Sequence, residues 1–215
     1  MDTSRVSEIR YKVIDMDNKV YQFKITLNHS KPPIWRRIQA PETFTFWDLH
    51  CAIQDAMGWK DCHLHAFRFR KSKKFRDFYD IGIPDDTGLD MGTLAGWEID
   101  MKKIFKETGT KCIYEYDFGD GWEHVVILEK IITAEKDQKY PSCIAGKRAC
   151  PPEDCGGLWG YYELIEVLKN PKKERYQELS EWLGNSKIDS ESFNPKEVEF
   201  TDPEERLQNL LTNVS

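Results

Sequence analysis

Residues 114–129 read YEYDFGDGWEHVVILE, two strand-like runs on either side of Gly119-Asp120-Gly121. An Asp-Gly pair supplies the positive φ that a tight hairpin needs. A two-residue turn at Asp120-Gly121 predicts Asp117 opposite His124 and Glu115 opposite Val126. Tyr114, Tyr116, Phe118, Val125 and Ile127 would then form the core face. A cross-strand aspartate–histidine pair is the catalytic candidate. The carboxylate can orient an imidazole general base, or the two side chains can hold a divalent metal, with Asp120 and Glu123 nearby. The same pattern also fits a polar sheet face on which Asp117 simply satisfies His124.

Cys143, Cys150 and Cys155 cluster in YPSCIAGKRACPPEDCGGLWGY. Thiolates suit zinc, Cys150 and Cys155 approach the spacing of a ligand pair, and His124 or His63 could supply a fourth ligand. Zinc is thus the possible cofactor; the alternative is a rigid loop whose thiols fill small apolar gaps. The glycines that end this loop precede a helix and mark a tight entry rather than a phosphate-binding fingerprint, because the lysine-serine ending is missing. His63 and His65 lie two apart, so a strand would put them on one face, as metal ligands or as ordinary polar residues.

A third cluster, FRFRKSKKFR at 67–76, carries Arg68, Arg70, Lys71, Lys73, Lys74 and Arg76 interleaved with phenylalanines. On a hairpin, with Arg36 and Arg37 extending the patch, these cations could meet nucleic-acid phosphates or a protein partner. Lysines on an edge hairpin also serve to block sheet-to-sheet aggregation.

The elements that would position these residues follow from periodicity. Tyr21, Phe23, Ile25 and Leu27 alternate with Val20, Gln22, Lys24 and Thr26, a half-buried strand paired through the turn at 15–19 with residues 9–14. Residues 34–39 form a third strand. Thr45 with Asp48 resembles a capping box, the apolar positions Phe46, Leu49, Ile53, Ala56 and Met57 recur at helical spacing, and Gly58 ends the helix. Strands follow at 64–70 and 75–81, a loop at 84–97, a short helix at 100–107 and the hairpin above. Residues 134–160 show no period; helices are expected at 161–169 and 172–183. Asp202-Pro203-Glu204-Glu205 starts a last one.

The chain has 215 residues, with 40% hydrophobic, 13% aromatic and a net charge of -6, enough for one domain with a real core. Residues 1–76 carry 15 basic and 8 acidic side chains and residues 77–215 carry 16 and 29, so a basic amino-terminal face could still attract an anionic partner. The longest apolar run, 125–128, excludes a helical membrane span. The opening MDTSRVSEIR lacks the apolar stretch of a secretion signal, so a cytoplasmic location with reduced cysteines is expected.

KPPIWRRIQAP, the helix TFWDLHCAIQDAMGW with HLHAF, YEYDFGDGWEHVVILE, and ACPPEDCGGLWGYYELIEVL followed by EWLG resemble, in fixed order, the plasmid pRiA4b ORF-3-like family, also described as an insertion-element passenger TnpR-like protein. The resemblance runs over residues 6–200, with 201–215 as a helical tail. It implies a compact α+β domain found on plasmids and mobile elements and delivers no activity. Relatives often carry a histidine where Lys173 stands here, and a usual Phe-Asp-Pro is Ile188-Asp189-Ser190, so no role built on that histidine can operate in this chain. The expectation is an α+β fold with a mostly antiparallel sheet, a packed amino-terminal helix and a carboxy-terminal helical layer. The expected function is a non-enzymatic interaction module with a basic face; a metal-dependent hydrolase or zinc-stabilised module built on Asp117, His124 and the cysteine loop is the alternative.

Overall fold

The alternation at 20–27 becomes β1 (Lys19–Leu27), whose Tyr21, Phe23, Ile25 and Leu27 are buried. It pairs antiparallel with β2 (Trp35–Pro41) on one side and β7 (Trp122–Thr133) on the other. The computed structural model describes residues 19–70, 78–84, 92–184 and 188–213; the strand expected at 9–14, the basic turn at 71–77 and residues 85–91 of the expected loop lie outside these. With β3 (His65–Arg70), β4 (Phe78–Gly82), β5 (Leu94–Ala95), β6 (Lys111–Tyr116) and β8 (Ser142–Lys147), the strands form one sheet in the order β5-β4-β3-β6-β7-β1-β2-β8. Among the described strands only β4 and β5 pair in parallel.

Helix α1 (Phe46–Met57) covers the inner face of the sheet, as its apolar stripe predicts. The capping box forms: the Asp48 amide donates to Thr45 Oγ1 at 3.2 Å, and the Thr45 amide donates to Asp48 Oδ2 at 2.9 Å. Gly58 closes the helix at φ 96°, left-handed backbone that glycine adopts without steric cost. Phe23, Phe46, Phe67, Phe69 and Phe105 meet edge to face or stacked between α1 and the sheet. Helices α2 (Gly157–Leu168) and α3 (Tyr176–Trp182) form the carboxy-terminal layer, and α4 (Pro203–Asn213) lies against α1, where Trp47 Nε1 donates to the Pro203 carbonyl at 2.7 Å.

Three expectations need correction. The helix expected at 100–107 is only a 3-10 turn, Met101–Lys103. Backbone bonds from Phe46 to Ile99 and from Met101 to Phe44 tie its start to the entrance of α1. The Gly109 amide already bonds the Leu128 carbonyl in β7. The aperiodic stretch at 134–160 contains β8, an edge strand that a bulge between Arg37 and Ile38 keeps from clean alternation.

The third concerns register. The β6–β7 turn spans 117–121 rather than two residues, so Tyr114 faces His124, Glu115 faces Glu123 and Tyr116 faces Trp122. Asp117 starts the turn early at φ 53°, its Oδ1 accepting the Gly119 amide at 2.9 Å and its carbonyl accepting the Gly121 amide at 2.7 Å. The slip is odd, so it turns β7 over. Trp122, His124, Val126 and Leu128 point into the core, while Val125 and Ile127 are half-buried and Phe118 is exposed.

Candidate functional site

Three loops meet at one corner of the sheet: residues 59–64 between α1 and β3, the turn 117–121, and residues 150–156 ahead of α2. Trp59 Nε1 donates to the Pro151 carbonyl at 3.0 Å, and the Lys60 amide to Glu153 Oε1 at 2.7 Å. The Cys62 amide donates to the Tyr116 hydroxyl at 2.9 Å, and that hydroxyl donates to Glu153 at 3.1 Å. The Asp117 amide reaches the Leu64 carbonyl, and the Gly156 amide reaches Asp120 Oδ2 at 3.1 Å. Gly157 permits this approach, since a Cβ there would lie 2.6 Å from the Asp120 carbonyl.

This stitching gathers His63, Asp117 and Asp154. His63 Nε2 lies 2.9 Å from Asp154 Oδ1 and 3.7 Å from Asp117 Oδ2, and one ligand atom from each residue falls within 4.8 Å of the others. Asp154 is two-thirds exposed and His63 about one-third, so the cluster opens to solvent. Asp120 and Glu153 add negative charge at the same corner, and among the described residues no lysine or arginine side chain pairs with any of these four acids. Asp117 and Asp154 hold φ values of 53° and 55°, a conformation aspartate tolerates better than most side chains. One imidazole and two carboxylates form a donor set for zinc or manganese, with positions left for water.

A second cluster lies beneath, between α1 and the strands. Gln54 Nε2 donates to the Tyr114 hydroxyl at 2.8 Å, so that hydroxyl passes its own proton to His50 Nδ1, also at 2.8 Å. His50 Nε2–H then donates to Asp61 Oδ1 at 2.8 Å. His65 stacks on His50, ring centroids 3.4 Å apart and planes within 8°. Neither ring nitrogen of His65 has a hydrogen-bond partner among the described residues. Arg206 from α4 clasps Asp61 Oδ2 at 2.6 Å and Asp55 Oδ1 at 2.9 Å. Burial holds the His50 imidazole below its ordinary pKa against the pull of Asp61, and burial with the neighbouring His50 pushes His65 down further. Burial alone would raise Asp61, yet His50 and Arg206 hold it below the usual carboxylate range.

The residues singled out in the sequence separate. His124 is wholly buried, its Nδ1 3.3 Å from the Tyr114 carbonyl and its ring edge-on to Trp59, and burial pushes its pKa down to about 4. It therefore does not face Asp117. Cys143, Cys150 and Cys155 are free thiols; none joins either histidine–aspartate cluster, so the set with His124 is not assembled. Burial raises all three thiols, Cys155 to about 12.

Nor do the arginines make one basic face. Arg36 is 1% exposed, donates to the Ala56, Trp35 and Lys147 carbonyls and lies 3.6 Å from the Phe193 ring centroid, because it shares the inner face of β2 with Ile38 and Ala40. Arg37, on the opposite face, makes two bonds to Glu129 at 2.6 and 2.9 Å. Arg68 pairs with Glu115 and Asp80. Arg70 is exposed at the end of β3, while Lys71, Lys73, Lys74 and Arg76 lie outside the described residues.

His50 and Asp61 escaped the sequence reading. A signal was present: His50 falls on the apolar stripe of α1, one position after Leu49, where a polar side chain must find a buried partner. Asp61, His63 and His65 also alternate through DCHLH.

An open eight-stranded sheet, packed on one face by a capped helix and flanked by a helical layer, defines an α+β domain with a histidine–aspartate corner. The chain belongs to the plasmid pRiA4b ORF-3-like family, which matches residues 19–200. It is 38% identical over 176 residues to the uncharacterized protein y4hQ of Sinorhizobium fredii (strain NBRC 101917 / NGR234), covering 81% of this chain and 86% of the relative. The crystal structure of a protein of unknown function, MM3350 from Methanosarcina mazei Go1, superposes with a TM-score of 0.74 at 42% identity, covering 85% of this chain and 99% of the other. Helix α4 lies beyond the family match. Among the described residues no helix is long and apolar enough to cross a membrane.

Proposed function

We propose that the protein is a metal-dependent hydrolase whose divalent cation is held by His63, Asp117 and Asp154. The observation that carries this reading is the convergence of three ligand-capable atoms from three separate loops within 4.8 Å, open to solvent on one side. A closed structural site would take four protein ligands; three leave a position for water, and zinc in such a site lowers the pKa of that water to about 7. Asp120 and Glu153, which have no lysine or arginine partner among the described residues, favour a cation over an anion at this corner. In this reading Asp117 acts with His63, in place of the His124 partner expected from the sequence. A nucleic-acid face draws no support from Arg36, Arg37 or Arg68, which are engaged within the domain.

Elemental analysis of protein purified without a histidine tag tests the metal. One zinc or manganese ion per chain is expected, lost in His63→Ala and in Asp154→Asn. Metal-free protein whose melting temperature ignores added zinc and manganese sinks the proposal. Hydrolysis of p-nitrophenyl phosphate or p-nitrophenyl acetate by the metal-loaded protein, absent in His63→Ala, tests the chemistry.

A further inference from the structure

Beneath that corner, the His50–Asp61–His65 cluster serves no purpose in the proposed reaction and is an odd thing to bury. His65 is 2% exposed, and one of its ring nitrogens must carry a proton with nothing among the described residues to receive it. Two imidazoles lie face to face at 3.4 Å, rather than in the offset or edge-on arrangements that rings prefer. The ligand atoms of His50, Asp61 and His65 all fall within 4.8 Å. A positive charge already sits at its rim. The Arg206 guanidinium, reaching in from α4, neutralises Asp61 and Asp55, and it comes from the one helix that lies past the end of the family match at residue 200.

We infer that His50, Asp61 and His65 form a second, buried cation site, and that Arg206 closes it by standing in for the ion. The donor set, two imidazoles and a carboxylate, is the zinc class. Withdrawing Arg206 frees Asp61 Oδ2 and leaves two carboxylates without a cation. A divalent ion at His50 Nε2 takes that nitrogen's lone pair, so the ring's one proton moves to Nδ1 and donates to the Tyr114 hydroxyl, whose own proton turns to the Gln54 amide oxygen. The lone pairs of parallel rings run side by side and do not converge, so one ring must turn. His65 is the one able to do so, because packing against Trp47, Phe67 and Tyr114 holds it and no hydrogen bond does. Helix α4 then acts as a strap: docked, it excludes metal from the core; released, it admits it.

The test is cobalt uptake by the full chain in a His63→Ala background, which removes the exposed cluster and makes the result independent of the function proposed above. The parent is expected to bind no cobalt tightly. Adding Arg206→Gln should introduce one cobalt ion per chain after dialysis, with the visible d–d absorption of a low-coordinate site, and adding His65→Phe should abolish it. If the glutamine variant does not fold, Arg206→Met keeps the packing of the side-chain stem and carries the same expectation. A folded Arg206 variant that takes up no more cobalt than its parent overturns the inference, as does uptake that survives His65→Phe.

Discussion

Acid should destabilise this protein through His124 in particular. The imidazole is wholly buried, and burial pushes its pKa from 6.5 to about 4. The unfolded chain therefore takes up a proton at a pH where the folded chain refuses it. Stability from this group is complete above pH 6.5 and falls as the pH drops through the window from 6.5 to 4. At about 1.4 kcal/mol per unit, the full span is roughly 3 kcal/mol. Replacing His124 with phenylalanine removes the titration. Its ring can still pack on Trp59, and the hydrogen bonds lost are those to the backbone of Tyr114, at 3.3 Å, and of Trp122. Urea unfolding of both proteins at pH 7, 5.5 and 4 isolates the effect, since His50 and His65 titrate in both and cancel. The wild type should lose about 3 kcal/mol more than His124→Phe between the extremes. A wild-type-minus-variant difference that stays flat across the series would mean that His124 is solvated, and the buried register of β7 would be wrong.

Three further outcomes follow from single contacts. In Gly160→Ala the new Cβ would lie 1.8 Å from the Cys155 carbonyl, so the loop carrying Asp154 must shift; thermal melts should show a loss of about 2 kcal/mol or more. Arg36→Ala should cost roughly 3 kcal/mol in denaturant unfolding and Arg37→Ala less than about 1 kcal/mol, because the first empties a buried site while the second breaks a half-exposed ion pair. Asp154→Asn should leave the melting temperature in chelator unchanged while lowering metal content, since an exposed loop carboxylate contributes within about 0.5 kcal/mol to the fold.

Periodicity carried the scaffold well. The strand at 20–27, the capped helix from Thr45 to Gly58 and the final helix after Asp202-Pro203 are all where local chemistry puts them. It failed where turn chemistry competes with it. Asp-Gly at 120–121 is a strong marker for a two-residue turn, but the Asp117 side chain bonds forward to the Gly119 amide and opens the turn at 117. Alternation is preserved by any register, so only the turn could tell which face of β7 is inside. Arg36 failed for a related reason. Two adjacent arginines on a strand must face opposite ways, and charge alone read both as surface. The pieces of the candidate site were legible as motifs, but their meeting was not: His63 touches Asp154 across ninety-one residues of sequence, and no local pattern encodes that contact.

Part of the buried polar set lies beneath this convergence and carries a stability cost. His50 and Gln54 on α1, His65 on β3 and His124 on β7 are buried beneath the His63 corner with Asp117 at its margin, while Gln22, Ser30 and Arg36 are buried elsewhere in the domain. The far end of the core, around Phe23, Phe69 and Phe105, is built from apolar rings. Each buried polar group lowers stability unless it is fully bonded, and His65, Gln54 Oε1 and His124 Nε2 are not. A sequence under pressure for stability alone would replace His65 and His124 with phenylalanine, a residue this core already uses.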